Sequence, residues 1–473
     1  MTGDSRPVAV VRPGETVEQA LYAVQQKVYP RAVHGVFAAW RWASVWATQL
    51  VFYGTAWLTW NDRQAVLFDI AHRKFYIFGL VFWPQDIVYL AVLLIVAALA
   101  LFLFTAVAGR LWCGYACPQT VYSEIFLWIE RRIEGDRNQR IRLDRATWGP
   151  RKLALKGAKH ALWMLLALWT GFTFVGYFAP IRELWVEVLS ADTGPWEAFW
   201  ILFYGFATYG NAGWMREQVC IYMCPYARFQ SAMFDRDTLI ITYDQYRGEP
   251  RGGRARGVPP RTLGLGDCVD CGICVQVCPT GIDIRNGLQY QCIGCAACID
   301  GCNQVMDHAG YARGLIRYST QNALEGKLAQ RDMLARVFRP RVLVYTALLS
   351  AIAVAAAAVL WLRIPLKVDV IRDRTALSRE VEGGMIENVY RLQIMNTAES
   401  ERVFEITVEG LPTLQLAEPA RVEVDATTSR MVPVRVRLQP GAAPPGTHKI
   451  EFAVHALGIE RVAVREKSVF IVR

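Results

Sequence analysis

Eight cysteines in the middle of the chain carry the clearest chemistry. Cys268, Cys271, Cys274 and Cys278, followed by Pro279, read C-x2-C-x2-C-x3-C-P; Cys292, Cys295, Cys298 and Cys302 repeat the spacing without the final proline. Three closely spaced thiolates can wrap one face of an iron–sulfur cubane, while the fourth cysteine of each run reaches the other cluster. The expectation is two [4Fe–4S] clusters, one on Cys268, Cys271, Cys274 and Cys302, the other on Cys292, Cys295, Cys298 and Cys278. Zinc ribbons use two separated C-x2-C pairs, and a triple run overloads a tetrahedral ion. Small residues at Gly272, Gly294, Ala296 and Ala297 let backbone N–H groups approach the cluster sulfurs. Asn303 stands where a proline often follows the last cysteine, which leaves the local backbone course open but not the ligands.

The other four cysteines form a repeat. WCGYACPQ at 112–119 and VCIYMCPY at 219–226 match at one constant offset, with Cys113 and Cys117 corresponding to Cys220 and Cys224, each second cysteine preceding a proline. Proline favours the first position of a helix, so Cys117 and Cys224 are expected at helix N-caps, where the dipole would favour thiolate. The stretch after Pro118 reads as an amphipathic interfacial helix. Repeats in membrane proteins are often related by a pseudo-twofold axis with functional groups at their interface. If the pairs meet, four soft sulfurs converge, a set that selects Cu(I), zinc or an iron–sulfur cluster, or that supports reversible dithiol–disulfide exchange. Met215 and Met223 could add thioethers, although a methionine on a membrane helix is usually packing. His72 and His160 read as interfacial residues rather than ligands. His448 and His455 lie seven apart on one strand and face opposite sides.

These sites sit in a chain of 473 residues that is 53% hydrophobic with a net charge of +10, too apolar for an ordinary soluble protein. Five stretches approach the length of a membrane-crossing helix: about 37–58, 87–108, 160–180, 196–214 and 342–362. Basic residues crowd the segments after the second and fourth stretches, whereas 181–195 has only Arg182. That asymmetry places the N-terminus and the cysteine runs in the cytoplasm and everything after the fifth span in the periplasm. The same basic residues point to the anionic surface of a lipid bilayer, and no nucleic-acid partner is expected. Twelve cysteines in tight clusters, none beyond Cys302, indicate metal sites in a reducing compartment rather than disulfides. With no signal-peptide pattern in 1–36, that segment is expected to stay inside.

The expected architecture is a multi-domain membrane protein: an α-helical transmembrane bundle of five spans, an inserted bacterial two-cluster ferredoxin module, and a C-terminal immunoglobulin-like β-sandwich. Its parts run 1–36 (cytoplasmic segment), 37–243 (four spans in two hairpin repeats), 244–263 (Gly-, Pro- and Arg-rich linker), 264–310 (ferredoxin module), 311–341 (connector), 342–362 (fifth span) and 366–473 (periplasmic sandwich). Alternating runs VYRLQIM, VFEITVEG, VPVRVRL and HKIEFAVHA between turns support the sandwich. No dinucleotide fingerprint or P-loop is present, so electrons must arrive from a separate donor.

The chain resembles the cytochrome c oxidase accessory proteins CcoG, also called FixG or RdxA. The resemblance covers nearly its whole length: KFYIFGLVFWPQD at 74–86, LWCGYACPQTVYSEIFLWIERRIEG at 111–135, the paired cluster runs, ARGLIRYST at 312–320 and the β-rich end. It implies a bacterial inner-membrane cupric reductase that converts Cu(II) to Cu(I) for assembly of cbb3-type oxidase. Carried onto this sequence, the eight ferredoxin cysteines relay electrons, and Cys113, Cys117, Cys220 and Cys224 are the candidates for the copper-handling or redox site. It also implies oxidase-assembly and copper-transport proteins as partners; the cytoplasmic electron donor is unidentified, and a homodimer is left open. The main alternative is a quinol-linked electron-transfer subunit like NapH or NosR feeding a periplasmic reductase; those relatives share the C-x3-C-P spans and cluster runs. A third is an assembly scaffold whose clusters only sense redox state.

Overall fold

The helix Ile87–Ala108 is apolar on every face, and none of its central window is buried inside the protein. Such a surface needs lipid around it. The computed structural model describes residues 27–254, 260–326, 333, 335–373, 378–459 and 461–472. Among these, three helices are long and apolar enough to cross a membrane: Pro84–Ala108, Pro150–Val175 and Pro340–Trp361. Parts of the expected N-terminal segment (1–26), basic linker (255–259) and connector (327–332 and 334) lie outside the described residues.

Three of the five expected spans coincide with these helices, the third with different bounds, and the other two fall short of the same length and apolarity. The third, placed at 160–180, is the helix Pro150–Val175, because its first turns keep their lysines satisfied: Lys152 Nζ donates to the carbonyls of Asp144 (2.9 Å) and Ala146 (2.7 Å). The fourth, placed at 196–214, is α-helical only over the 14 residues Pro195–Thr208, a rise of about 21 Å. It then widens into a π-helix over Tyr209–Met215. The first, Val36–Thr55, has the length at 20 residues but not the apolar level of the three. The segment 181–195 contains the helix Ile181–Ser190.

The chain divides into two compact units. The first comprises, in its described residues, 27–39, 128–159, 241–254 and 260–318. Its cysteine-bearing part folds around Cys268, Cys274, Cys302, Ile284, Ile299, Met306 and Ile316, and the strands Ile240–Tyr243 and Ile316–Ser319 pair beside it. The ferredoxin fold therefore draws on residues flanking 264–310 on both sides. Buried Asp300 accepts from the backbone N–H groups of Phe37 (3.3 Å) and Ala38 (2.7 Å), tying down the start of helix Val36–Thr55. A buried ion network lies in the same unit: Arg140 meets Glu130 (3.1 Å), while Lys159 (2.9 Å) and Lys156 (3.0 Å) meet Glu134. Desolvated carboxylates persist there because cations answer them.

The second unit comprises 40–127, 160–240 and the described residues from 319 onward. Helices Pro150–Val175 and Pro195–Thr208 approach closely at Gly171, where a Cβ would lie 2.3 Å from the Ile201 carbonyl oxygen, the small-residue contact that lets membrane helices pack. Trp57, Trp169, Phe172 and Trp185 stack near one end of this bundle. The C-terminal sandwich has two antiparallel sheets. One orders Gln415–Leu416, Ser429–Leu438, Met385–Asn396 and Leu366–Arg372, with Arg379–Val381 also on Met385–Asn396; the other orders Ala420–Val424, Arg402–Glu409, Gly446–Ala456 and Ala463–Val472. Alternation fills the space between them: Tyr390, Leu392, Ile394, Phe404, Val434, Val436, Phe452 and Phe470 are all buried. Pro433 is tolerated inside a strand because Gln415–Leu416 pairs only with Arg437 and Val436, leaving Pro433 on an open edge. The sandwich is anchored by Asp86, buried between Arg363 (2.9 Å) and Lys367 (2.5 Å), and by Glu399, which accepts from Trp60, Asn61 and Arg63.

Candidate redox sites

The two cluster runs share one backbone design. Asp270 and Gly294, and likewise Gly272 and Ala296, occupy equivalent places in the two runs, and all four have positive φ (51° and 72°; 65° and 58°). Gly272 precedes the helix Ile273–Gln276 that carries Cys274, and Ala296 precedes the helix Ala297–Ala309 that carries Cys298 and Cys302. Alternating left-handed and right-handed residues turn successive N–H groups inward, the concavity that anionic clusters occupy. Two of these positions hold side-chain-bearing residues, a strain usually kept for functional ground.

The structure brings the fourth cysteine of each run to the other run. The thiols whose charge bears on Cys302 are Cys274, Cys271 and Cys268; those bearing on Cys298 are Cys295, Cys292, Cys278 and, more weakly, Cys274. A cavity is lined by Cys278, Cys292, Cys295 and Cys298, with Cys274 at its side and Ile241, Ile282, Ile284 and Ile293 around it. Burial pushes the Cys302 thiol up to about 12 and Cys274 up to about 11. At neutral pH thiols so placed stay protonated until a metal centre displaces their protons. An all-sulfur donor set in an apolar cradle with inward N–H groups fits [4Fe–4S] clusters. Cys271 is exposed, whereas Cys268, Cys274, Cys295 and Cys302 are buried.

The four cysteines of the C-x3-C-P repeat also gather. Cys113 lies on the helix Leu111–Tyr115, Cys117 immediately precedes the helix Pro118–Glu134, Cys220 lies in the π-helical turn Val219–Met223, and Cys224 is the N-cap of Pro225–Met233. Cys220 feels the charges of Cys117, Cys113 and Cys224, and Cys113 those of Cys117 and Cys224. The N-cap positions are as the prolines require, but their expected effect on ionisation is overturned at Cys117. Burial pushes that thiol up despite the backbone N–H groups of Gln119 and Thr120. The same burial takes Cys113 to about 11 and Cys220 to about 12. Among the described residues, no three His, Cys, Asp or Glu side chains close on one point as a single ion would need.

The repeat extends into the backbone. Gly109 (φ 55°, ψ −117°) and Arg216 (φ 41°, ψ −113°) sit at equivalent places and share one unusual conformation. Each repeat also grips the other just after its proline: Gln119 Nε2 donates to the carbonyls of Asn211 (2.9 Å) and Arg216 (3.0 Å), while Tyr226 Oη bonds Thr105 Oγ1 (2.6 Å). Three polar residues around the thiols escaped the sequence reading. Thr120 Oγ1 donates to the Cys113 carbonyl (2.5 Å), Cys113 Sγ donates to Gln230 Oε1 (3.4 Å), and buried Arg110 donates to the Ala227 carbonyl. The repeat gave no signal for them, since at its constant offset Arg110, Thr120 and Gln230 stand opposite Glu217, Ala227 and Ser123.

The remaining candidates are accounted for by local bonds. His72 Nδ1 meets Asp69 (2.7 Å), His448 bonds the Pro444 carbonyl (2.8 Å) and His455 meets Glu405 (3.2 Å). His160 bonds Tyr209 (2.9 Å) and stacks on Trp214. Met223 is exposed.

A two-cluster module, membrane-length helices and an Ig-like domain in one chain define an iron–sulfur redox protein with membrane association. The 4Fe-4S dicluster family matches residues 215–321, a second 4Fe-4S binding domain family matches 90–135, and the IG-like fold at the C-terminal of FixG matches 356–473. Among full-length relatives, Nitrogen fixation protein FixG of Rhizobium meliloti (strain 1021) is 38% identical over 465 residues, covering 89% of each chain. Protein RdxB of Cereibacter sphaeroides is 40% identical over 411 residues, covering 85% of this chain and 86% of its own; Protein RdxA of the same organism is 38% identical over 442, covering 90% and 92%. The crystal structure of a FixG-related protein from Vibrio parahaemolyticus covers 23% of this chain and 95% of its own at 23% identity, with a TM-score of 0.21. This chain belongs to the FixG/RdxA family.

Proposed function

We propose that this chain is a cupric reductase of the bacterial inner membrane, converting Cu(II) to Cu(I) for assembly of a cbb3-type oxidase. The observation that carries the reading is the gathering of Cys113, Cys117, Cys220 and Cys224 from two repeats into one group. Soft sulfurs prefer Cu(I) over Cu(II), so a site of this composition favours the reduced product. Copper enters as substrate; Cu(II) takes one electron and leaves as Cu(I). Among the described residues no three His, Cys, Asp or Glu side chains close on one point, so holding copper requires the thiols to move together.

Two [4Fe–4S] clusters supply single electrons when bound. Cys268, Cys271, Cys274 and Cys302 would hold one, and Cys278, Cys292, Cys295 and Cys298 the other. The cradle excludes water and its inward N–H groups stabilise the charge on the sulfurs, which raises the potential at which electrons can be accepted. The electrons come from a cytoplasmic donor. In this reading Val36–Thr55 and the Pro195–Met215 segment complete a five-span bundle, the cysteine module faces the cytoplasm, and the sandwich lies in the periplasm, where it would meet oxidase-assembly or copper-transport proteins.

The test is full-length protein carrying Cys113→Ser, Cys117→Ser, Cys220→Ser and Cys224→Ser together, with the iron of both clusters retained. Cupric reduction by chemically reduced protein should fall to the background without protein. Undiminished turnover would remove the thiols from the reaction and favour the quinol-linked alternative, whose clusters do no copper chemistry.

A further inference from the structure

Asp270 lies between Cys268 and Cys271 with φ at 51°, a left-handed conformation for which the second run uses Gly294. A side chain in that conformation carries a strain that glycine escapes, so it persists only where its surroundings hold it. Arg285 supplies the hold. Its guanidinium is only 11% exposed and joins two carboxylates: Nη1 donates to Asp270 Oδ1 (2.5 Å), while Nε and Nη2 donate to Asp283 (2.9 and 2.7 Å). Asp283 is itself fixed, because it accepts from the Arg285 backbone N–H (3.0 Å) and begins the turn Ile284–Asn286, whose Ile284 is buried in the core of the module. A planar guanidinium can bridge two such partners at set angles, which the point charge of a lysine cannot. The second run is fastened differently, its Gly294 carbonyl accepting from Tyr318 Oη (2.8 Å). The Arg285 charge also reaches the first run's thiols: burial opposes the ionisation of Cys274 most strongly, and Arg285 is the next influence and favours it. Cys271, one residue after Asp270, is exposed, whereas Cys268, Cys274 and Cys302 are buried. The Arg285–Asp270 pair therefore stands at the exposed edge of the first cluster's ligand set.

We propose that Arg285 is a positioning residue of the first cluster: by tying Asp270 to Asp283 it keeps the Cys268–Cys274 loop closed, with Cys271 in place as a ligand at the water-facing edge. The inference is independent of the copper reading and rests on Cys268, Cys271, Cys274 and Cys302 as one ligand set. Without the guanidinium, Asp270 and Asp283 are left as unanswered negative charges beside an anionic cluster, and the strained loop opens locally more often. The two charges of the pair also act on the potential in opposite senses, since positive charge near a cluster favours its reduced state and negative charge opposes it.

The test uses the full-length, cluster-loaded protein in detergent without oxygen. Hydrogen exchange of the amides between Cys268 and Cys274 reports closure of the loop, and an EPR-monitored titration gives the potentials, with the first cluster's signal assigned through Cys271→Ser. Arg285→Met should speed exchange of that loop about tenfold, as loss of hydrogen bonds to charged groups does, and leave the Cys292–Cys298 loop at the wild-type rate. Asp270→Asn, at a half-exposed position where water screens the pair, should speed it about threefold. Both variants open the same loop, so the difference between their potentials reports the charges: the first cluster in Asp270→Asn should titrate above that in Arg285→Met. If Arg285→Met instead comes away with about four irons and only the second cluster's signal, that is the same opening carried to completion. Wild-type exchange in both variants, equal acceleration in both loops, or equal potentials would overturn the proposal. Should the wild-type chain itself hold no iron, the ligand assignment fails first and takes this inference with it.

Discussion

At the scale of single residues, the crossing of the cysteine runs makes the sharpest prediction. Cys302 sits with Cys268, Cys271 and Cys274, and Cys278 with Cys292, Cys295 and Cys298. Cys302→Ser should therefore disturb the cluster held by the first three cysteines of the first run, and Cys278→Ser the cluster of the second run. EPR of the reduced protein, compared with Cys271→Ser and Cys295→Ser, checks this: Cys302→Ser should match Cys271→Ser, and Cys278→Ser should match Cys295→Ser. Opposite pairings would mean each run keeps its own fourth ligand. The thiol ligands were legible in the sequence because metal chemistry fixes both residue type and spacing. Gln230 was not, since a glutamine has no spacing rule, and its place beside Cys113 arises only from the fold.

At the scale of elements, the duplicated C-x3-C-P turns rest on a backbone that only one of the two repeats builds from glycine. Gly109 and Arg216 share the same left-handed conformation, and a Cβ at Gly109 would also stand 3.1 Å from the Leu239 carbonyl oxygen. Gly109→Ala should cost about 1–3 kcal/mol, read as a lower thermal midpoint of the detergent-solubilised protein. Arg216→Gly should change stability less, because it relieves that strain while losing the bond from Arg216 Nε to the Gly213 carbonyl (2.9 Å) and the contact with the Trp163 ring. The repeat itself could be read from sequence, but the conformation could not, since arginine is a poor marker for positive φ. The three most apolar helices were visible as runs of hydrophobic residues. The start of the third was missed because lysines interrupt the run, and the structure satisfies them with carbonyls and carboxylates. The π-helical widening after Thr208 breaks no composition rule and left no trace.

At the scale of the whole molecule, orientation and acid response follow from the placement of charge. Cysteine introduced at exposed Glu418 in the sandwich should react with a membrane-impermeant maleimide in intact spheroplasts, while one at exposed Tyr246 should react only after lysis; the reverse would invert the proposed topology. In the sandwich, burial opposes ionisation of Glu387, but hydrogen bonds from Arg437 and Arg379 outweigh it and hold the carboxyl below its usual range. A depressed carboxylate stabilises the fold above its unfolded value of about 4.3 and loses that contribution as pH falls further. Hydrogen exchange in the strand Met385–Asn396 should therefore accelerate below about pH 4, and Glu387→Gln should remove much of that dependence while lowering stability at neutral pH. The four sandwich strands read from alternation were found where expected, whereas Leu366–Arg372 and Ala463–Val472 carry too many charges on their exposed faces to stand out. The account as a whole depends on sulfur-bound iron, so its most direct test is iron, sulfide and EPR analysis of the full chain purified without oxygen. About eight irons per chain in two [4Fe–4S] clusters, still present when the four C-x3-C-P cysteines are serine, is the predicted result. A colourless preparation, or one holding zinc in place of iron, would contradict it.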